Sequence, residues 1–438
     1  MPRHTALTDL LTDSVGDRSP FPQDTQVSLT TSGDSLSWEF PTAFGEVTVR
    51  ATQIPAGLRL TCHGSGDENR RVLRNVLVTD ALLKAAPKEH HELEVLSGRR
   101  ATRRAALTTV AGWVSFICSR MQTVSQVEHG ETPDEDIIRG FWWDRKANFG
   151  DAIGPWIVST MTGRHVVNVR STKDSPIPAV GRASALVGSI VQMINRPRVD
   201  IWGSGLMRPL SEDSGLRRRR TTEVHAVRGH LTRHELQEKL GWTVPEVYGD
   251  PALLLPRLFT PNSPDGDRRI AFVPHMKHRT RFSTIDEAVF DVCDVRDDLT
   301  TVVSQIAGAR ACVSTSMHGL IVAQAYGVPW VWLNISDAPL GGADFKFEDF
   351  FSTLDSSSLP GGAPARVDVT SADLENLDLQ AIAEKAALPS TAIDLDALEA
   401  ALPHRTLADE RLRQRVDRRA ARRMKQAVRK LLPSRHHS

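Results

Sequence analysis

Three residues able to move protons or hold anions stand where an apolar run gives way to small residues: His318 in "ACVSTSMHG", Arg228 in "VHAVRG" and Asp151 in "KANFGDAIGP". An imidazole titrates near neutral pH and suits general acid or base work. A guanidinium offers a planar fork of donors that matches carboxylate or phosphate. A carboxylate at a helix start either caps the helix or acts on a ligand, and capping is the commoner use. Small and polar neighbours surround these three. Asn148 and Gly150 precede Asp151, Gly203 and Ser204 lie in "DIWGSGL", Ser316 stands two residues before His318, and His275 and Lys277 share "PHMKHRTR". Each has an ordinary structural reading by itself: G-S-G is a common turn, an arginine after a buried strand can close an ion pair, and a surface loop can carry His275 and Lys277. Together they describe a site for a small anion, because a helix start points N–H groups at negative charge and the cations add to it.

Elements that bring such residues together are visible in the pattern. "HVVNV", "VDIWGSG", "TEVHAVRG" and "EVYGDPALLLP" read as short buried strands, and a second series follows in "RRIAFVPHM", "FDVCDV", "ACVSTS" and "VPWVWLN", with helical runs between. Strands alternating with helices imply parallel sheets covered on both faces. Ligands bind such sheets beyond the carboxyl ends of the strands, which is where His318, Arg228 and Asp151 fall. The expected organisation is α/β, with Rossmann-type halves over 136–256 and 257–393 and a cleft between them. Before them, 26–135 reads as an accessory region, first strands ("SLSWEF", "GEVTVRATQI", "LRLTCHG") and then two helices, closed by the acidic turn-rich stretch 128–136. Residues 1–25 read as a polar flexible leader, 355–375 as a Ser/Gly/Pro-rich surface loop, and 394–438 as a basic terminal helix.

Composition narrows the class. The chain has 438 residues, 40% of them hydrophobic and 24% charged, which is the balance of an ordinary globular protein with room for more than one domain. Cys62, Cys118, Cys293 and Cys312 are far apart, so neither a zinc site nor a disulfide framework is expected. The apolar stretch 105–118 is too short to span a bilayer and the N-terminus has no secretory pattern, so a cytoplasmic location is expected. From His404 onward ten Arg and two Lys face two Asp and one Glu, an excess of nine positive charges, while the whole chain carries only +1. That tail could meet an anionic membrane surface at the inner face or lie on the acidic remainder of the chain. No aromatic residues interleave with its arginines, so nucleic acid is not an expected partner. "KEHHELE" at 88–94 reads as a solvated turn and no metal site is expected.

The ordered series "NFGD", "GSG", "VRG", "GDPALLLP", "STSMHGLIVAQAYGVPWV" and "FKFEDFF" resembles the polysaccharide pyruvyltransferase family over about residues 138–355. The resemblance implies a GT-B-like fold, no metal or other cofactor, and phosphoenolpyruvate as donor of a pyruvate ketal to a sugar of a surface glycan or its lipid-linked precursor. It implies that Arg228 holds the phosphate or carboxylate of the donor, that His318 is the general acid or base, and that Lys346 in "FKFEDFF" matches a downstream lysine. Many members carry an acidic residue after the arginine, where this sequence has Gly229. A nucleotide-sugar glycosyltransferase of the same architecture and a non-catalytic glycan- or anion-binding protein are the rival readings, since fold alone does not fix chemistry.

Overall fold

The computed structural model describes residues 28–32, 35–54, 57–78, 91–96, 103–131, 137–173, 176–219, 221–261, 269–282, 285–342 and 344–407. The expected leader lies outside these residues, as do the basic tail beyond residue 407 and the start of "KEHHELE".

The first layer is an antiparallel sheet in chain order: β1 (Ser28–Ser32), β2 (Ser35–Thr42), β3 (Gly45–Ile54), β4 (Gly57–Gly64) and, after helix α1 (Gly66–Val78), β5 (His91–Leu96). Its alternating apolar positions share one face. Trp38 pairs with Val49 and Val49 with Cys62, and all three are buried. Onto that face α1 packs Val72, Leu73, Val76 and Leu77, and helix α2 (Arg103–Glu128) adds Ile117, Met121 and Val124. The same core takes in Val167, Val169, Ile177 and Ala183 of the next unit. The N-terminal module is therefore joined to the rest by a shared interior.

The next unit runs β6 (Ile137–Phe141), α3 (Phe149–Thr162), β7 (His165–Asn168), β8 (Ala183–Ala185), β9 (Val199–Trp202), β10 (Glu223–Ala226) and α4 (His230–Leu240). Its strands are all parallel, in the order β10-β9-β8-β6-β7. "EVYGDPALLLP" was expected to be a strand, but only Tyr248 bridges to the sheet, at Val227. Asp250 caps a 3-10 turn over Pro251–Leu254, continued by α5 (Leu255–Leu258). Proline at the first position of the turn, where its missing N–H costs nothing, favours the helical path.

The last unit holds β11 (Ile270–Val273), β12 (Phe290–Val292), α6 (Leu299–Ala307), β13 (Ala311–Ser314), α7 (Met317–Ala325), β14 (Trp330–Ile335), α8 (Phe345–Phe351), β15 (Arg366–Val369), α9 (Leu379–Ala383) and α10 (Leu395–Ala400). These strands are also parallel, in the order β12-β11-β13-β14-β15. The expected surface loop 355–375 contains β15, whose "RVDV" alternation pairs Val367 with Leu333 and Val369 with Ile335 at the sheet edge. α10 and the chain after it lie on the preceding unit, where the indole N–H of Trp202 donates to the Leu398 carbonyl at 2.8 Å and Ser184 bonds His404 at 2.8 Å. The four cysteines are free and buried, and no described helix is long and apolar enough to cross a membrane.

Counted within each half, both parallel sheets have the order 2-1-3-4-5. Such a sheet reverses direction between its first and third strands, and the crevice beyond their carboxyl ends is where ligands bind. Here those points are the loops after β6 and β8 in one half and after β11 and β13 in the other. The halves meet there, with the Phe149 N–H donating to the Val295 carbonyl at 2.8 Å.

Candidate functional site

His318 enters the crevice from the first turn of α7. The N-cap Ser316 makes no side-chain hydrogen bond to the amides of that turn, so the positive end of the helix carries no side-chain cap. Facing it is the first turn of α3. A β-carbon added to Gly150 would stand 2.2 Å from His318 Nδ1, so only glycine permits this approach of the two helix starts. On the other edge of the imidazole, Nε2 lies 3.8 Å from Asp250 Oδ2. Both atoms are buried without a hydrogen-bond partner. Burial lowers His318 to about 3, helped by the positive charges of Arg228 and Lys346, so the ring is neutral at neutral pH. Burial likewise raises Asp250 to about 6, against the backbone bond from Ala252.

Asn148 and Asp151 come from the loop after β6. The Asn148 carboxamide oxygen accepts the Gly150 N–H at 3.0 Å as helix cap, and its side chain also bonds Asp151. Protein surrounds the Asp151 carboxyl although part of the residue reaches solvent. Desolvation raises it to about 7, Asp144 adds to the rise, and Lys346 and Arg170 oppose it. Lys346, on α8, is buried with its ammonium 5.3 Å from the centre of the Phe347 ring and forms no ion pair among the described residues. Burial, reinforced by Arg228, lowers it to about 8, which leaves it mostly protonated at neutral pH. His275 follows β11. Burial and the charge of Lys346 lower it to about 3, and its loop is tied to the β13 end by its N–H bond to the Thr315 hydroxyl at 2.8 Å. Lys277 is exposed at the rim, in electrostatic reach of His275 and Lys346.

Arg228 reaches the same centre by a different use of its donors. Its Nε donates to Asp349 Oδ2 at 2.9 Å, Nη1 to the Ser189 hydroxyl at 2.5 Å, and Nη2 to the Leu206 carbonyl at 2.7 Å, and the side chain has no exposed surface. Asp349 also accepts the Thr232 N–H and hydroxyl, each at 2.7 Å. The acid that pairs with Arg228 is thus Asp349 of α8, and Gly229 leaves room for that helix: a β-carbon there would meet the Asp349 carbonyl oxygen. Gly203 and Gly205 shape this floor, since a β-carbon on Gly205 would stand 2.4 Å from Arg228 Cζ and Gly203 turns with φ +73° against Pro251. Ser204 is fully buried and donates to the Leu186 carbonyl.

His318, Arg228, Asp151, Asn148, Gly150, Lys346 and His275 therefore share one centre. Lys277 lies at its edge, and Ser204 and Ser316 shape backbone around it. Asp250, Asp349, Ser189 and Asp144 were not picked out from the sequence. Asp250 had a local signal, an acid directly before Pro251 at the end of a strand-like run. Asp349 had none, its partner lying 121 residues away.

Two parallel sheets with their switch points face to face around histidine, lysine and buried carboxyls define an α/β protein with a cluster of titratable side chains between its two halves. A family model described as polysaccharide pyruvyl transferase matches residues 201–337, a segment that carries Arg228, Asp250, His275 and His318. Asn148, Asp151, Lys346 and Asp349, which share the centre with them, lie outside the matched segment. Among curated proteins the chain is 28% identical over 174 residues to an uncharacterized protein, L143, of Acanthamoeba polyphaga mimivirus, which spans 38% of this chain and 58% of that one. It is 25% identical over 234 residues to the succinoglycan biosynthesis protein ExoV of Rhizobium meliloti, spanning 51% of this chain and 67% of the relative.

Proposed function

We propose that the protein transfers pyruvate from phosphoenolpyruvate to two hydroxyls of a sugar in a surface polysaccharide or its precursor, releasing phosphate and forming a ketal. The observation that carries this reading is the meeting, at paired switch points, of a buried lysine with no ion pair among the described residues, a helix start with no side-chain cap, a neutral histidine and a carboxyl that retains its proton near pH 7. The donor's phosphate and carboxylate need fixed positive groups, and Lys346 with the α7 start offers them, while the buried Arg228 contributes charge and holds Lys346's helix in place. Lys277 and His275 close the phosphate side.

The reaction needs one proton delivered to carbon and two removed from hydroxyls. Asp151, protonated up to about pH 7, gives its proton to the enol methylene, leaving an oxocarbenium-like centre at the adjacent carbon. A sugar hydroxyl attacks that carbon as neutral His318 takes its proton, and Asp250 beside Nε2 stabilises the imidazolium that forms. The bond to the phosphate oxygen then breaks, and phosphate departs with the proton held by His318. The second hydroxyl closes the ring and its proton restores Asp151. One proton is left on phosphate and none is unaccounted for.

Incubating the purified protein with phosphoenolpyruvate and a panel of glycosides tests the reading. Phosphate release together with acceptor mass rising by a ketal-linked pyruvate supports it. Turnover of a nucleotide sugar with no use of phosphoenolpyruvate would replace it with the glycosyltransferase alternative.

A further inference from the structure

Beside the anion centre lies an open depression of ≈ 540 Å³, solvent at its mouth included, where the N-terminal module meets both halves. Its walls come from three places: Arg74 of α1, the loop after β6 with Trp143, Lys146 and Asp151, and the loop after β12 with Arg296. Asp151 is common to this pocket and to the anion centre, so whatever binds here lies next to the proposed proton donor.

The pocket's chemistry differs from that of its neighbour. Arg74, Lys146 and Arg296 are balanced by Asp144, Asp297 and Asp298, while Asp151 keeps its proton up to about pH 7, so there is no cationic excess to hold a second phosphate. A mixed set of donors and acceptors next to an indole suits a neutral polyhydroxyl ring, whose C–H face packs on the aromatic and whose hydroxyls find both signs of partner. We propose that this pocket is the acceptor subsite, that its ligand is a neutral pyranose, and that the N-terminal module contributes to acceptor selection through Arg74. The proposal rests on the transfer reaction above for its meaning, and on the pocket alone for its binding.

The module's hold on this loop is built in. Arg71 donates to Asp144 Oδ2 at 2.8 Å, Asn75 to the same oxygen at 2.9 Å, and Arg74 to the Asp144 carbonyl at 2.7 Å. Lys146 two residues on is exposed and forms no ion pair among the described residues, which leaves its ammonium free for a ligand hydroxyl.

Saturation-transfer NMR on the full chain with methyl glucoside, methyl galactoside and methyl mannoside, each at millimolar concentration, tests the assignment. Binding of at least one glycoside is expected. In Trp143→Ala and in Lys146→Gln its affinity should fall about fivefold, the loss of one aromatic or hydrogen-bonded contact, with phosphoenolpyruvate affinity by calorimetry unchanged. Lys146→Gln guards against a folding defect, because an exposed lysine supports no packing. Should none of the glycosides bind, or should both variants bind the sugar as well as the parent does, the subsite assignment fails even if pyruvyl transfer is observed. Conversely, glycoside binding that is lost in both variants, in a protein that leaves phosphoenolpyruvate untouched, would uphold the subsite and overturn the reaction.

Discussion

Asp151 holds its proton at a pH where a free aspartate has lost it, because protein surrounds the carboxyl and Asp144 stands near. A reaction that needs this acid should slow as pH rises through about 7, the value to which Asp151 is raised, and the rate should drop about tenfold for each further unit. Rates of phosphate release across pH check it, and in Asp151→Asn activity should fall at least about a hundredfold with that alkaline limb gone. The same group has a stability consequence of definite sign. Its folded value lies above the free value of 3.8, so the native state binds the extra proton between 3.8 and about 7, and the group's contribution to stability declines as pH rises through that window. Asp151→Asn should therefore be more stable than the parent at pH 8, by about 1–2 kcal/mol after allowing for the solvent that reaches the residue, and the difference should vanish towards pH 4. Lys346→Met makes a separate case. If this ammonium holds the donor, calorimetry should show phosphoenolpyruvate binding weakened about 10- to 100-fold, the range for a lost hydrogen bond to a charged group.

At the scale of elements, the centre depends on two helix starts packed closer than side chains normally allow. Gly150→Ala puts a methyl group 2.2 Å from His318 Nδ1, so either the imidazole swings away from Asp250 or α3 shifts. Activity should fall about tenfold or more for a stability loss of about 1–3 kcal/mol, read by rate and by urea unfolding of the same samples. The strand-to-helix transitions that set up this contact were legible: "KANFGD" and "STSMHG" put small residues where an apolar run stops, and a parallel sheet places such points at one end. What could not be read was side-chain direction within a turn. Ser204 has the look of a ligand-facing hydroxyl in G-S-G, yet its hydroxyl is turned to the Leu186 carbonyl. Asp250 was taken as part of a strand because "ALLLP" is apolar, whereas the acid before Pro251 starts a helical turn and aims its second oxygen at His318. Arg228 was read as a donor to substrate because it directly follows a buried strand and its guanidinium matches carboxylate or phosphate, and no local pattern points to Asp349.

Over the whole molecule, the Arg228–Asp349 pair is a buried tie between the two halves. It joins the end of β10 to α8 with both side chains fully buried, and Thr232 and Ser189 occupy further polar atoms. Ion pairs of this kind add little net stability over well-packed apolar groups, but removing one partner strands a charge in the interior. Asp349→Ala should thus cost about 3–5 kcal/mol in urea unfolding, while Arg228→Met combined with Asp349→Leu should cost much less. If the pair also holds α8 in register for Lys346, the double variant will fold yet bind phosphoenolpyruvate more weakly than the parent, because it keeps the packing and loses the directional fork. A double variant with unchanged donor affinity would mean that the apolar packing around α8, which includes Phe347, Phe350 and Trp330, fixes the helix without help from the ion pair.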